Sequence, residues 1–110
     1  MPPRRMGQAL MVDMAVGVVI PVRNAVRHLP AALASVCAQR PRPADIVVVD
    51  GASDDGSADV AGSFPGVRVL KQQGLGLAAA RNQGIREVAG DLLAFCDADD
   101  EWTEYALKQR

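Results

Sequence analysis

Three carboxylates crowd into four positions at Asp97-Ala98-Asp99-Asp100. At that spacing they repel one another unless solvent or a cation intervenes. Hard oxygen donors of this kind suit Mg²⁺ or Mn²⁺, which bind one or two carboxylates together with substrate phosphates. The plainer reading is an acidic loop ahead of a helix, where the helix dipole favours negative charge. Asp50 also has two readings. It could accept hydrogen bonds from a base or a ribose, or it could cap the turn at 51–57, GASDDGS. Arg81-Asn82 follows Gly74 and Gly76. Its guanidinium could face a diphosphate or the acidic loop, or lie on a solvated helix face. Pro21, Arg23 and Asn24 close an apolar run. His28 has no partner motif and reads as a surface or helix residue. Cys37 and Cys96 form no Cys-x-x-Cys pair and read as small buried residues in a reducing compartment. No G-x-G-x-x-G follows the first apolar run and no Walker A sequence occurs, so dinucleotide and P-loop readings are poor.

These residues need elements to position them. Residues 15–22 (AVGVVIPV) form a continuous β-branched run, the pattern of a strand buried on both faces. Apolar residues at Val26, Leu29, Leu33, Val36 and Cys37 predict a helix over 26–39, with Pro30 tolerable only near its start. Residues 46–49 predict a second strand. The turn at 51–57 follows, with Ser53 a candidate cap, Gly51 and Gly56 turn glycines adopting positive φ, and a short helix to 62. Residues 67–70 predict a third strand. Residues 75–89 predict a helix with Leu77, Ala80, Ile85 and Val88 on its apolar side and Gly90 closing it. Residues 91–96 predict a fourth strand, and a further helix starts at Glu101. Strands alternating with helices in this way predict an α/β, Rossmann-like fold. Its sheet is mostly parallel, of about four strands, with helices on both faces. In such sheets ligands bind beyond the carboxyl ends of the strands. Pro21, Arg23, Asn24, Asp50, Asp97, Asp99 and Asp100 fall just there.

Composition fits this reading. Among 110 residues, 49% are hydrophobic and the net charge is -1, which excludes a disordered chain and a charge-driven nucleic-acid binder. Ten glycines and two cysteines exclude collagenous and disulfide-dense classes. Residues 1–14 read as a loose leader. They precede a single domain over 15–110. A secretory signal is disfavoured because Asp13 interrupts the apolar stretch and Pro21-Val22-Arg23 is a poor cleavage site. That stretch is also too short to span a bilayer.

Taken in order, four segments resemble the N-terminal half of family 2 glycosyltransferases, enzymes with the GT-A fold. They are VVIPVRN (18–24), DIVVVDGASDDGS (45–57), GLAAARNQGI (76–85) and GDLLAFCDADDEW (90–102). The resemblance implies a nucleotide-binding set of Pro21, Asn24, Asp50, Arg81 and Asp97. Pro21 and Asn24 would lie along the nucleotide, Asp50 would contact the base and Arg81 would stand near the diphosphate. Asp97 and Asp99 are similar to the D-x-D pair that holds the ribose and a divalent cation, Mg²⁺ or Mn²⁺. The implied activity is inverting transfer of a sugar from a nucleotide-diphosphate sugar, a UDP-sugar first among donors, to an acceptor hydroxyl. The implied location is cytoplasmic, with peripheral membrane association as its variant.

Two local departures stand out. Many members carry two adjacent aspartates where this chain has Asp50-Gly51, and a proline soon after the tryptophan where this chain has Thr103-Glu104. A complete GT-A domain is also roughly twice this length, so the acceptor site and general base are expected to be missing from this chain. The competing readings are a non-catalytic nucleotide-binding module, a vestigial fragment with an uncovered sheet edge, and a receiver-type phosphoacceptor domain. The last needs an acidic pair after the first strand, where Arg23-Asn24 stands.

Overall fold

The computed structural model describes residues 15–103. The leader at 1–14, and residues 104–110 of the expected last helix, lie outside the described residues.

The first apolar run forms β1 (Val16–Val22), in which Val18, Val19 and Ile20 are completely buried. Burial of consecutive residues means that both faces are covered, which is why the run shows no polar alternation. β2 (Asp45–Asp50), β3 (Val67–Lys71) and β4 (Leu92–Phe95) complete a four-stranded sheet of order β3-β2-β1-β4. Every pairing is parallel. The register sets Val22 beside Asp50, Asp50 beside Lys71, and Val19 beside Phe95. The fold is the expected α/β, Rossmann-like arrangement.

Three helices cover the two faces. α1 (Leu29–Cys37) and α2 (Ser57–Gly62) pack Leu29, Leu33, Val36 and Ala61 against Val18, Ile20, Ile46 and Val48. α3 (Leu77–Glu87) lays Ala80 on Val19, Val47 and Val49 from the other side. Alternate residues of β1 and β2 thus serve opposite cores, as the period-two geometry of a strand requires.

Several boundaries differ from the pattern reading. α1 begins at Leu29, three residues later than expected, because residues 26–28 make a turn. Pro30 then falls in the first turn, where its missing N–H has no partner to lose. α3 begins at Leu77 and ends at Glu87 with Val88 extended, so Gly90 lies beyond the helix end rather than closing it. Residues 101–103 are not helical. Cys96 is buried as expected, whereas Cys37 is only half-buried.

The face that α3 presents to the sheet is also different. Leu77 and Ile85, expected inward, are about half exposed, and the buried residues are Ala80, Gln83 and Gly84. The cause is close approach. A Cβ added at Gly84 would stand 2.3 Å from a methyl of Val19, so only glycine fits there. Small residues let the helix backbone settle on the sheet, and that rotation turns the large side chains outward.

One polar cluster ties this layer together. Arg68 on β3 donates from Nε to Asp45 Oδ1 at 3.1 Å and from Nη2 to Oδ2 at 2.8 Å. Nη2 also donates to Glu87 O at 2.7 Å, and Asp45 Oδ2 accepts from Ala89 N at 2.9 Å. The Arg68 hydrogen bonds hold the Asp45 carboxyl below its ordinary 3.8, against an opposing push from burial and with help from the Ala89 N–H. A depressed carboxyl stabilises the fold above its unfolded pKa, and that contribution is lost as pH falls through the folded value. Asp45→Asn should therefore cost about 1–2 kcal/mol at pH 7, the low end for charge-assisted bonds because Arg68 is half exposed. Parent and variant melts should converge as pH drops well below 4. An equal gap at both pH values would rule the ion pair out as the source.

Candidate functional site

Because all four strands run parallel, their carboxyl ends share one edge of the sheet. The chain order reverses around β1, with β2 and β3 on one side and β4 on the other. A crevice at such a switch point is where open α/β sheets bind ligands.

Asp50 ends β2 at that edge and is 8% exposed. Its Oδ2 accepts a long 3.3 Å bond from Ser53 N, which is the turn-capping role. Its Oδ1 is buried with no hydrogen-bond partner. A buried carboxylate oxygen in that state is costly unless something donates to it. Asp50 lines an open cleft of about 500 Å³ together with Ala52, Ser53, Ala58, Val69, Leu70 and Lys71. Lys71 was passed over in the sequence, although it ends β3 and the strand-end rule applies to it equally.

The cleft wall is built by an exchange between two loops. Asn24, at φ 49°, donates its N–H to Ser53 Oγ at 2.9 Å and accepts from Asp54 N at its Oδ1, also at 2.9 Å. Asp55 accepts from Val26 N at 3.0 Å and from Ser57 N and Oγ at 3.0 and 2.6 Å. Ser57 hydrogen bonding, more than its opposing desolvation, lowers the Asp55 pKa. Ser53 is thus a bridge to Asn24 rather than the expected helix cap. The left-handed position of this turn is Ala52, at φ 58°, together with Gly56 at 90°. Gly51 is not at positive φ, and a Cβ there would come within 2.8 Å only of Gln72 Oε1, the movable end of a side chain.

Pro21 is buried inside β1 opposite Val49, beyond the last β1–β4 pair. Its missing N–H interrupts no pairing with β4. His28 is exposed ahead of α1, as read from the sequence.

On the other side of β1, Arg81 of α3 turns toward the acidic loop. Its Nη2 lies 3.7 Å from Asp97 Oδ1, and its guanidinium sits 5.7 Å from the centre of the Phe95 ring. Both charged side chains are substantially exposed, so the pair contributes little stability. Arg81 Nε is buried without a partner. Asp99 and Asp100 are exposed, and Asp100 N donates to Asp97 O at 3.0 Å to form the turn. Beneath the loop, burial pushes the Cys96 thiol up to about 12, with Asp100, Asp97 and Asp99 adding to the effect. The thiol is inert at neutral pH.

The donor set fits a hard divalent cation. Asp97 and Asp99 offer exposed carboxylates on one turn. Among the described residues no group of three or more His, Cys, Asp or Glu converges to hold an ion by itself. Shared coordination, one or two carboxylates plus substrate phosphates, is the usual arrangement for Mg²⁺. No helix among the described residues is long and apolar enough to cross a membrane.

Comparison with known proteins agrees with this architecture. The model of glycosyl transferase family 2 matches residues 17–109. The amylovoran biosynthesis glycosyltransferase AmsB of Erwinia amylovora is 37% identical over 106 residues, covering 90% of this chain and 35% of that protein. The mannosyltransferase PcManGT of Pyrobaculum calidifontis, solved with GDP-Man and Mn²⁺, superposes with a TM-score of 0.70 at 27% identity, covering 81% of this chain and 28% of that one. TarS 1-349 of S. aureus in complex with UDP shares the fold with a TM-score of 0.78 at 24% identity, over 87% of this chain and 30% of that one. The chain spans 14% to 35% of the length of curated relatives that it matches. With a parallel sheet, a carboxyl-edge cleft and a family match over nearly all its residues, the chain belongs to glycosyl transferase family 2.

Proposed function

We propose that this chain forms the donor half of a glycosyltransferase, binding a nucleotide-diphosphate sugar, with UDP-sugars first among donors, together with Mg²⁺ or Mn²⁺. The observation that carries this reading is the buried, unpartnered Oδ1 of Asp50 beside the cleft at the sheet edge. A uracil ring has an N–H that such an acceptor can take. Asp97 and Asp99 would hold the cation, with Asp97 also near the ribose. Arg81, already turned toward Asp97, would stand by the diphosphate. Asn24, engaged with the neighbouring loop, would act by fixing the cleft wall, and Pro21, buried in β1, would lie along the nucleotide. When bound, the cation neutralises charge on the nucleoside diphosphate leaving group as a Lewis acid.

The reaction we propose for the whole protein is inverting transfer of the sugar to an acceptor hydroxyl. Such transfer requires a general base within hydrogen-bond reach of that hydroxyl. We place the base and the acceptor site outside these 110 residues, in keeping with the 14% to 35% share of the relatives' length. Relatives solved with UDP and with GDP-Man and Mn²⁺ support a nucleotide-sugar donor and a divalent cation.

Equilibrium titration of UDP against CDP in Mn²⁺ tests the donor assignment. The two share ribose and diphosphate, but cytosine presents an acceptor where uracil presents its ring N–H. An acceptor–acceptor clash should weaken CDP by at least about tenfold. Equal or tighter CDP binding would remove Asp50 from the base contact.

A further inference from the structure

The acidic loop leaves the sheet after Phe95 and belongs to no helix or strand over 96–103. Its anchor lies at the end of α1, which packs in the same core as Ala98 and Trp102. Gln39, just past α1, is completely buried, and a buried amide is tolerable only when it is hydrogen-bonded. Its Nε2 donates to Thr103 O at 2.6 Å and to Ser35 O at 3.1 Å. One turn earlier, Ser35 Oγ accepts from Trp102 N at 3.0 Å while donating to Ala32 O at 2.7 Å. Ser35 on α1 and Gln39 just past it therefore grip successive backbone groups at 102 and 103. Trp102 packs its half-buried ring against the same core.

We infer that Gln39 and Ser35 are positioning residues for the acidic loop. Neither lines the cleft beside Asp50. By fixing the backbone two residues beyond Asp100, they hold the Asp97–Asp100 turn against the repulsion of its three carboxylates. The turn is thereby set for a divalent cation before the cation arrives. Pre-organisation of this kind raises metal affinity without adding a ligand. The inference rests on the donor-site reading above.

Trp102 is the sole tryptophan of the chain, so its emission reports the loop directly. Three variants of the 110-residue chain are informative: Gln39→Met, which keeps length but removes the donor, and the pair Ser35→Ala and Ser35→Thr. In Gln39→Met and Ser35→Ala, Trp102 emission should shift to the red, and its quenching by acrylamide should rise. The Mn²⁺ concentration giving half-maximal UDP binding should increase about tenfold. UDP affinity at saturating Mn²⁺ should stay within about twofold, since the nucleotide contacts are untouched. Ser35→Thr, which retains the hydroxyl, should restore both readouts. If Gln39→Met does not fold, the Ser35 pair decides the matter alone. Unchanged emission and unchanged Mn²⁺ dependence would overturn the inference. So would a loss of UDP affinity at saturating Mn²⁺ that merely tracks melting temperature. Failure of the parent chain to bind UDP in any Mn²⁺ concentration, with the emission shifts still present, would instead defeat the donor-site reading and the inference with it.

Discussion

Asp50→Ala should weaken UDP binding by about 10- to 100-fold and leave the melting temperature unchanged or slightly raised. The binding loss is that of one charge-assisted hydrogen bond, about 1.5–3 kcal/mol. The stability result is the more diagnostic half. Asp50 holds a buried carboxylate whose Oδ1 has no partner and whose Oδ2 has one long bond to Ser53 N. Removing a buried, half-satisfied acceptor removes its desolvation cost, which offsets the lost Ser53 bond. Residues kept for binding at the expense of the fold behave in this way. Calorimetric titration with UDP in Mn²⁺ and a thermal melt of the same sample measure both. A variant that loses several kcal/mol of stability would show that Asp50 is a structural cap whose burial needs no ligand to explain it.

Asp99→Ala should bring UDP binding in Mn²⁺ down toward the level seen without metal. The expected loss is at least the 10- to 100-fold that removing even an outer-shell partner of a metal costs. Among the described residues, no hydrogen bond or ion pair engages the Asp99 carboxylate, which is exposed on the turn. Its removal should therefore leave the melt within about 0.5 kcal/mol of the parent. Asp100→Asn is the useful contrast. Asp100 Oδ1 accepts from Glu101 N at 3.0 Å, a local turn bond that an amide oxygen also makes. That variant should bind UDP nearly as well as the parent. Titration of UDP at fixed Mn²⁺ across the three proteins gives the ordering. Equal Mn²⁺ dependence in parent and Asp99→Ala would take Asp99 out of the metal site.

The sheet was legible because its strands carry unambiguous local signals. The run at 16–22 is too β-branched and too evenly apolar for anything but a doubly covered strand, and the alternation with helices forces parallel pairing. From there the strand-end rule places Asn24, Asp50, Asp97 and Asp99 at one edge. The α3 face matches the periodicity at Ala80 and Val88 and departs from it at Leu77 and Ile85, for an instructive reason. Periodicity weighs large apolar residues, so Leu77 and Ile85 pointed inward on paper. Ala80 lies inward as expected, and close approach adds Gly84, where Val19 leaves no room for a side chain. Gly51 departs from its expected positive φ, and only the movable end of Gln72 lies close to it. Gln39 had no signal at all in the sequence. A glutamine at the last position of the expected helix over 26–39 carries no mark of burial until the chain returns some sixty residues later and Thr103 O meets it. Asp50 lay in between. Both of its readings were visible, and only the three-dimensional structure assigns the turn-capping role to one oxygen and leaves the other without a partner.

The central claim is that a nucleoside diphosphate binds at the carboxyl edge of this sheet through a shared divalent cation. Its most direct test is calorimetric titration of the folded chain with UDP, once in Mn²⁺ and once in EDTA, with circular dichroism confirming the fold in both. The result expected is saturable one-to-one binding in Mn²⁺ that disappears in EDTA. Binding of equal strength in both solutions, or none by a chain shown to be folded, would contradict it.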